Sequence, residues 1–234
     1  IYTHDGKLIS QYGVKRRIPV TLDQAPDLLQ KAILATEDNR FYEHFGIDPI
    51  GITRAFINLV LTGEKSQGAS TLTQQLARGF FLTREKTYIR KVKEILLAIK
   101  LEQKLSKEEI LELYINKIFL GHRAYGFAAA AAIYYDKPLE QLSLDQLAVL
   151  AGLPKAPSRN NPVTNPARAL KRRNYVLYRM YTLHHIDRET YQSTIKQPVN
   201  ARKSLLVTEV DAPHIAEMVR SNTIFYNRGN FSNN

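Results

Sequence analysis

Apolar and polar residues recur with the period of a helix along most of this chain after Thr21. In the segment 92–99, for example, apolar residues occupy the i, i+3, i+4 and i+7 positions of an amphipathic helix. Residues 1–12 differ, because Asp5-Gly6 is a turn signal between two short stretches of strand-forming residues. The pattern therefore predicts a mainly α fold with a short N-terminal β-hairpin.

Capping residues mark where several of these helices begin. A serine followed three residues later by glutamate or glutamine forms a capping box, and aspartate or asparagine before a proline places that proline at the first helical position. Such signals occur at Ser106/Glu109, Ser143/Gln146, Asp48-Pro49 and Asn165-Pro166, and Asp187 is expected to cap a helix that runs through Lys196. The starts of these helices are therefore predictable from the sequence alone.

The same patterns divide the chain into three parts. We expect a hairpin or juxtamembrane segment at 1–20, one helical domain at 21–197, and a linker or the start of another domain at 198–234, where the periodicity weakens. Within the domain, the alanine run 128–132 predicts a surface for close helix packing.

Composition limits the classes of function that fit this chain but does not select one of them. The 234 residues are 44% hydrophobic, which supports a packed core, and the absence of cysteine argues against zinc-thiolate sites. The formal net charge of +11 favours anionic partners, namely nucleic acid, anionic lipid headgroups or phosphorylated substrates. No apolar run approaches the roughly 18 residues that span a bilayer.

Glu37 is the first candidate for chemistry. In a helix it lies on the same side as Leu29 and Ile33, so its carboxylate is expected to be partly dehydrated. Dehydration makes a carboxylate a better proton acceptor, as a general base requires. The alternative is a carboxylate at a helix end that simply pairs with Arg40.

The segment 68–78 carries a polar stripe formed by Thr71, Gln74, Gln75 and Arg78. Ser70 and Thr71 fall where the helix should begin, and free backbone N–H groups at a helix N-terminus attract anions. The stripe therefore predicts an anion site. An ordinary capped helix with a solvated face is the alternative interpretation.

A third candidate is a cluster of basic residues around Glu94. Arg90 and Lys91 precede Glu94 by four and three residues, so both flank its carboxylate on a helix. Three further cations lie within the ten residues before Glu94: Arg84, Lys86 and Lys93. The cluster predicts either a solvated, salt-bridged helix or a cationic wall that binds a diphosphate.

Five short motifs in a fixed order make these weak signals specific. They are Glu37–Gly46 (EDNRFYEHFG), Gly68–Arg78 (GASTLTQQLAR), Arg90–Glu94 (RKVKE), Ile110–Asn116 (ILELYIN) and Arg172–Leu177 (RRNYVL). In this order the chain resembles glycosyltransferase family 51, the peptidoglycan polymerases of class A penicillin-binding proteins, over roughly residues 20–185. The flanking sequence is most similar to the 1a type. Arg78 departs from the family pattern, since many relatives have lysine there.

The resemblance implies a lysozyme-like, two-lobed helical fold in which the smaller lobe contacts the membrane. It implies that the domain polymerises lipid II, a lipid-linked disaccharide-peptide, into β-1,4 glycan and releases undecaprenyl diphosphate. An N-terminal membrane helix, a downstream transpeptidase domain, and a location at the periplasmic face of the cytoplasmic membrane are also implied. Partners are then lipid II, the growing glycan, an anionic membrane surface and moenomycin-type inhibitors, but no nucleic acid.

The resemblance also assigns roles to residues. Glu37 is expected to be the general base of an inverting transfer, and Glu94 the second acidic residue, which orients cations or holds Mn²⁺ or Mg²⁺. No organic cofactor is expected. The residues expected to bind substrate are Asp38, Phe41, His44, Ser70, Thr71, Gln74, Gln75, Arg78, Arg90, Lys91 and Asn116.

Three questions stay open at this point. A lysozyme-like glycan-cleaving enzyme would share the fold and the glutamate, although it needs no diphosphate anchor like the basic cluster at 84–93. A basic helical nucleic-acid-binding module would share the charge, although the 33 basic residues show no recognition helix. Phe80-Phe81-Leu82 either dips into lipid or packs in the core.

Overall fold

The computed structural model describes residues 17–63, 70–81 and 88–202. The predicted N-terminal hairpin lies outside these residues, and so do the side chains of Phe80-Phe81-Leu82. The described part is built from α1 (Asp27–Glu37), α2 (Pro49–Thr62), α3 (Leu72–Phe81), α4 (Tyr88–Glu102), α5 (Lys107–Lys117), α6 (Phe127–Tyr135), α7 (Leu144–Gly152), α8 (Pro166–Thr182) and α9 (Arg188–Thr194), with a 3-10 turn at Leu139–Gln141. The predicted mainly α fold is confirmed.

The capping signals explain where these helices begin. The two prolines stand first in α2 and α8, and both predicted capping boxes form, at the starts of α5 and α7. Asp187 caps α9 by accepting a 2.7 Å hydrogen bond from the backbone N–H of Thr190. That helix ends at Thr194, two residues before the predicted Lys196. The sequence therefore predicts where these helices begin more accurately than where they end.

The core lies where α1, α5, α6, α7 and α8 meet. Leu29 and Ile33 of α1 are fully buried in it, and α1 packs against both α7 and α8. The predicted packing surface on α6 is present, since the alanines 128–131 are buried between neighbouring helices. Burial of this apolar area is the main stabilising term of the domain.

Two helices carry apolar residues on the outside instead. In α2 the exposed set is Ile50, Ile52, Phe56, Ile57, Val60 and Leu61. In α4, Val92 and Leu96 are 56% and 61% exposed, whereas Glu94 and Ala98 are buried. An amphipathic helix ordinarily buries its apolar stripe, so α4 reverses the usual arrangement. Within the described part of the chain, no helix combines the length and the apolarity that crossing a bilayer requires.

The C-terminal end of the described chain folds back onto the domain. The fully buried Arg173 donates hydrogen bonds to the carbonyl oxygens of Ile195 and Gln197, at 2.9 and 2.6 Å. Burial lowers the pKa of Arg173 from its ordinary value, and these carbonyls satisfy its donors in place of water. The backbone N–H of Arg202 also donates to Tyr134. Packing therefore continues through residue 202.

Candidate active site

A cleft of about 220 Å³ opens where the end of α1, the start of α3 and the middle of α8 come together. Its lining consists of Ala35, Thr36, Glu37, Asp38, Asn39, Ser70, Gln75, Arg78, Pro154, Lys155, Arg172, Tyr175 and Arg179. Four of these side chains are cations and two are carboxylates. The cleft thus favours anionic ligands while presenting a possible base.

Glu37 stands in the wall of this cleft as the last residue of α1. One carboxylate oxygen accepts a hydrogen bond from Nη2 of Arg172 at 3.2 Å, and the other accepts from Nε2 of Gln75 at 3.1 Å. Its side chain is 11% exposed. The carboxylate is thus held in one orientation by two donors, and it is the partly dehydrated group that the helix position predicted.

The alternative reading of Glu37, as a partner of Arg40, is wrong for this structure. Arg40 instead forms a 2.8 Å ion pair with Glu43 and a longer one, at 3.5 Å, with Asp48. These acids lie on the segment that follows α1, which draws Arg40 away from the cleft. The carboxylate of Glu37 therefore faces the cleft without an ion pair to Arg40.

Arg172 belongs to the fifth sequence motif, but the sequence analysis did not place it beside Glu37. It lies 135 positions from Glu37 in sequence, so no local pattern predicts their contact. Its Nε donates to the carbonyl oxygen of Gly152 at 3.3 Å, and its guanidinium lies 4.8 Å from the centre of the Tyr175 ring. A Cβ atom at Gly152 would lie 2.8 Å from Cγ of Arg172. Gly152 therefore leaves the space that Arg172 needs.

Tyr114 supports the cleft from the core side. Its hydroxyl donates to Oε1 of Gln75 at 3.4 Å, which orients the amide so that its NH₂ group faces Glu37. Burial, together with the charge of Glu37, raises the pKa of Tyr114 well above its ordinary value. The hydroxyl therefore stays protonated as a donor.

Glu94, the second predicted acid, is enclosed by its own cations. Its side chain is 1% exposed, Arg90 donates to it at 2.8 Å, and Nζ of Lys91 contacts its other oxygen. Lys91 also donates to Oγ of Ser70 at 3.0 Å, and Ser70 lines the cleft. Arg90, Lys91 and Glu94 therefore form a salt-bridged cluster that the hydrogen bond from Lys91 to Ser70 joins to the cleft, and diphosphate binding by this cluster stays a prediction.

A divalent cation bound to Glu94 does not fit these surroundings. Both oxygens of Glu94 already accept hydrogen bonds from Arg90 and Lys91. In the described ranges no three His, Cys, Asp or Glu side chains lie close enough to share a metal ion. Mn²⁺ and Mg²⁺ need several oxygen ligands, and two cations on one carboxylate repel a third. Glu94 and its described neighbours therefore do not supply the oxygen ligands that a protein-held Mn²⁺ or Mg²⁺ would need.

Asp38 and His44 form a buried pair under the cleft. Nε2 of His44 lies 3.0 Å from both oxygens of Asp38. One of these oxygens also accepts from the backbone N–H of Leu72 at 2.9 Å. The anion at the N-terminus of α3 is therefore Asp38 itself, and not a ligand, because the carboxylate uses the free N–H group that suggested an anion site. Phe41 is buried beside His44.

The other predicted binding residues serve the packing around the cleft. Thr71 and Gln74 are buried and cap α3 reciprocally, and Oγ1 of Thr71 donates to the carbonyl oxygen of Gly46 at 2.7 Å. Asn116 lies apart from the cleft lining and bonds both the N–H and the carbonyl of Val20, at 2.9 and 2.7 Å. These three side chains fix the backbone instead of lining the cleft.

A second cavity, of about 200 Å³, adjoins the cleft and shares Gln75 and Arg78 with it. Arg17 and Lys117 add two more cations to its lining, beside the aromatic pair Phe119 and Tyr125. The centres of those two rings lie 5.1 Å apart. The sequence analysis predicted Arg78 but not the other cations, namely Arg17 and Lys117 here and Lys155 and Arg179 in the cleft, since loops and distant helices supply them.

The sequence of this chain matches a known protein family and curated relatives. A transglycosylase family model matches residues 5–181. Penicillin-binding protein 1A of Escherichia coli (strain K12) is 54% identical over 228 residues, and that of Pseudomonas aeruginosa PAO1 is 47% identical over 224 residues. The matches cover 97% and 96% of this chain and 27% of each relative. The chain thus spans about a quarter of the length of these curated relatives.

A solved structure extends the likeness to three dimensions. The crystal structure of penicillin-binding protein 1A from Haemophilus influenzae matches 96% of this chain and 24% of that chain, with a TM-score of 0.56 and 33% identity. The family model spans most of the chain. The chain belongs to the transglycosylase family, which is the family that its five sequence motifs predicted.

Proposed function

We propose that this domain polymerises lipid II into β-1,4 glycan strands and releases undecaprenyl diphosphate. The observation that carries the proposal is a single oriented carboxylate, Glu37, in a cleft whose other charged groups are mostly cations. A general base needs a fixed orientation and partial dehydration, and a diphosphate leaving group needs positive charge beside it. Both requirements meet in this cleft.

The two adjoining cavities support a transfer between two substrates. A polymerase must hold a donor and an acceptor at once, so that the acceptor hydroxyl meets the donor anomeric carbon. The cavities share Gln75 and Arg78, and Gln75 is the residue that holds Glu37. Aromatic side chains beside the second cavity are suited to pack on sugar rings. We place the acceptor in the Glu37 cleft and the donor on the side of Arg78.

The proposed reaction follows from this placement. Glu37 takes the proton from the 4-hydroxyl of the acceptor GlcNAc, and that oxygen attacks the anomeric carbon of the growing chain. The bond from the anomeric carbon to the diphosphate oxygen breaks, and the diphosphate leaves with the electron pair. Attack opposite the leaving group converts an α-linked donor into a β-linked product, as in inverting glycosyl transfer.

The cations have distinct parts in this proposal. Arg78 is exposed in the wall common to both cavities, so it is placed to contact the leaving diphosphate. Lys91 reaches the cleft through Ser70, and Arg90 and Glu94 hold Lys91 in position. Charge-assisted hydrogen bonds of this kind are typically worth about 1.5–3 kcal/mol. Glycan hydrolysis would gain nothing from such a cationic wall.

The exposed apolar residues of α2 and α4 support a position at the membrane. Soluble monomers rarely expose large contiguous apolar patches, whereas the lipid tail of the proposed substrate starts in a bilayer. The +11 net charge also favours an anionic lipid surface. We propose that this face contacts the periplasmic side of the cytoplasmic membrane, and that a membrane anchor and a transpeptidase domain flank the region in the longer protein.

Turnover of lipid II tests the proposed function. The purified chain is incubated with labelled lipid II in detergent, and products are separated by size. We expect glycan strands and free undecaprenyl diphosphate, and we expect moenomycin to block their formation.

Two parallel assays separate the rival functions. Purified glycan strands are incubated with the same preparation, and a duplex DNA is tested in a gel-shift assay at physiological salt. Shortened strands without lipid II turnover would indicate a hydrolase, and a DNA complex without turnover would indicate a nucleic-acid-binding module. Either result would overturn the proposal.

A further inference from the structure

A second basic groove lies beside the cleft, on the other side of Arg172. This groove, here called the outer groove, has a volume of about 360 Å³ and shares Lys155, Arg172 and Tyr175 with the cleft. Three further cations line the outer groove but not the cleft: Arg159, Arg168 and Lys171. Among the described residues, no acidic side chain lines the outer groove. The outer groove therefore concentrates positive charge next to the proposed acceptor.

The sequence builds this groove from one helix face and one loop. Arg168, Arg172 and Tyr175 follow each other at i, i+4 and i+7 along α8, so they share a side of the helix. The loop after α7 supplies Lys155 and Arg159 opposite them. The two elements that form the outer groove, α8 and the loop after α7, therefore also line the cleft.

The charges of the groove oppose ordinary helix electrostatics. The first turn of α8 contains no acidic residue and carries Arg168, although the N-terminus of a helix favours negative charge. Arg159, Arg168 and Lys171 are all exposed, and none forms an ion pair with an acid in the part of the chain that the structure describes. Helix stability does not account for cations at these positions.

We infer that the outer groove binds the carboxylates of the peptide carried by the acceptor, an inference that rests on the proposed function. Arg172 contacts Glu37 on one side and lines the outer groove on the other. An acceptor whose hydroxyl lies at Glu37 therefore extends from that point, and the outer groove is a continuous path for its substituents.

Spacing favours a peptide over the diphosphate as the ligand. Arg168 and Arg172 are four residues apart, which is about 6 Å along a helix. An extended peptide advances about 3.3 Å per residue, so carboxylates on successive or alternate residues match cations spread over this length. A diphosphate is compact and needs converging donors, which the cleft provides.

A charge-neutralising triple variant tests the inference. In R159Q/R168Q/K171Q, the three cations that line the outer groove but not the cleft become glutamines. The matched control, K137Q/R188Q/K196Q, removes the same charge from exposed positions outside the cavities. The assay measures formation of one glycosidic bond between a donor capped at its own 4-hydroxyl and a lipid-linked acceptor of varied concentration.

We expect the triple variant to raise KM for the acceptor roughly five- to ten-fold, because each exposed charge contact contributes modestly. We expect kcat to change less than two-fold, since Glu37 is untouched. With an acceptor whose peptide carboxylates are amidated, the triple variant and wild type should have equal KM. In 1 M salt the difference should also vanish, because the screening length falls to about 3 Å.

Four results would overturn the inference. An unchanged KM in the triple variant shows that the groove does not bind the acceptor. An equal rise in the control triple, or a parallel loss of binding to anionic lipid vesicles, assigns the effect to net charge at the membrane. A rise that persists with the amidated acceptor assigns the groove to the diphosphate. Absence of lipid II turnover by wild type removes the proposed function and this inference with it, whereas the first three leave the function standing.

Discussion

Glu37 and Glu94 are both acids that contact cations, yet their surroundings differ. Glu37 contacts one arginine and one amide and faces a cleft. Glu94 is closed off by two cations, Arg90 and Lys91, and is 1% exposed. A base needs an accessible oxygen, whereas an acid that anchors cations needs none. The comparison therefore separates a candidate base from a candidate positioning residue, and the variants below test that separation.

The largest effect is expected from Glu37→Gln. Glutamine keeps the size of the side chain but accepts no proton from the acceptor, so the rate of lipid II polymerisation should fall about 10²–10⁴-fold. The matched control is Glu43→Gln, which removes the same charge from an exposed acid that pairs with Arg40. Near wild-type turnover in Glu37→Gln, measured as initial rate of glycan formation, would contradict the base assignment.

A smaller loss is expected from Arg172→Met. Methionine retains much of the apolar stem but removes the hydrogen bond to Glu37, so turnover should fall about 10- to 100-fold. Gly152→Ala tests the same contact by displacing Arg172, because the added Cβ would lie 2.8 Å from Cγ of Arg172. We expect this second variant to lower kcat several-fold with little change in urea-unfolding midpoint. If both variants retain wild-type kcat, Arg172 does not orient Glu37.

Glu94→Gln should affect stability as well as turnover. Arg90 and Lys91 lose a buried charged partner, which costs about 1–3 kcal/mol of unfolding free energy after allowing for the partial exposure of Lys91. Urea unfolding measures the loss, and Lys91→Met in the same background completes a double-mutant cycle. A coupling energy near zero would mean that the Glu94 cluster is not the anchor inferred here. Glu37→Gln, by contrast, should unfold close to wild type.

The smallest effect concerns Tyr114 and pH. Burial raises the pKa of Tyr114 well above its ordinary value of 10.0, whereas the unfolded chain ionises near that value. The stability that depends on a neutral Tyr114 is therefore complete below about pH 10 and is lost as pH rises beyond it, by up to about 1.4 kcal/mol per pH unit.

Comparison with Tyr114→Phe isolates this contribution. Urea unfolding at pH 9 and pH 11 should show a steeper alkaline loss for wild type than for Tyr114→Phe. At neutral pH the variant should lose only about two- to five-fold in turnover, because Gln75 keeps its direct contact with Glu37. An identical pH dependence in both proteins would show that Tyr114 ionises without cost in the fold.

Most helix starts, and the side of α1 on which Glu37 lies, could be predicted because they depend on residues within one or two turns. Ser106 and Glu109 satisfy each other across three positions, and Leu29 and Ile33 define the buried side of α1. Such information is local. Helix ends are less marked, since α9 stops without a strong terminating residue.

The contacts that complete the site could not be predicted because they join distant segments. Arg172 reaches Glu37 across 135 positions, and Asp38 reaches the N–H of Leu72 across 34. The helical pattern identified α4 but did not indicate that Glu94 would be buried while Val92 stays exposed. Ion pairing with Arg90 and Lys91 offsets the cost of burying that carboxylate, and hydropathy alone contains no such term.

The adjacent arginines of α8 have a mechanical consequence. Arg172 contacts Glu37 on one side of the helix, and Arg173 binds the carbonyls of Ile195 and Gln197 on another. Force on the polypeptide beyond residue 197 therefore reaches α8 one residue away from the group that orients the carboxylate. A displacement of the carbonyls of Ile195 and Gln197 would therefore be transmitted to α8 as a rotation or a shift next to Arg172.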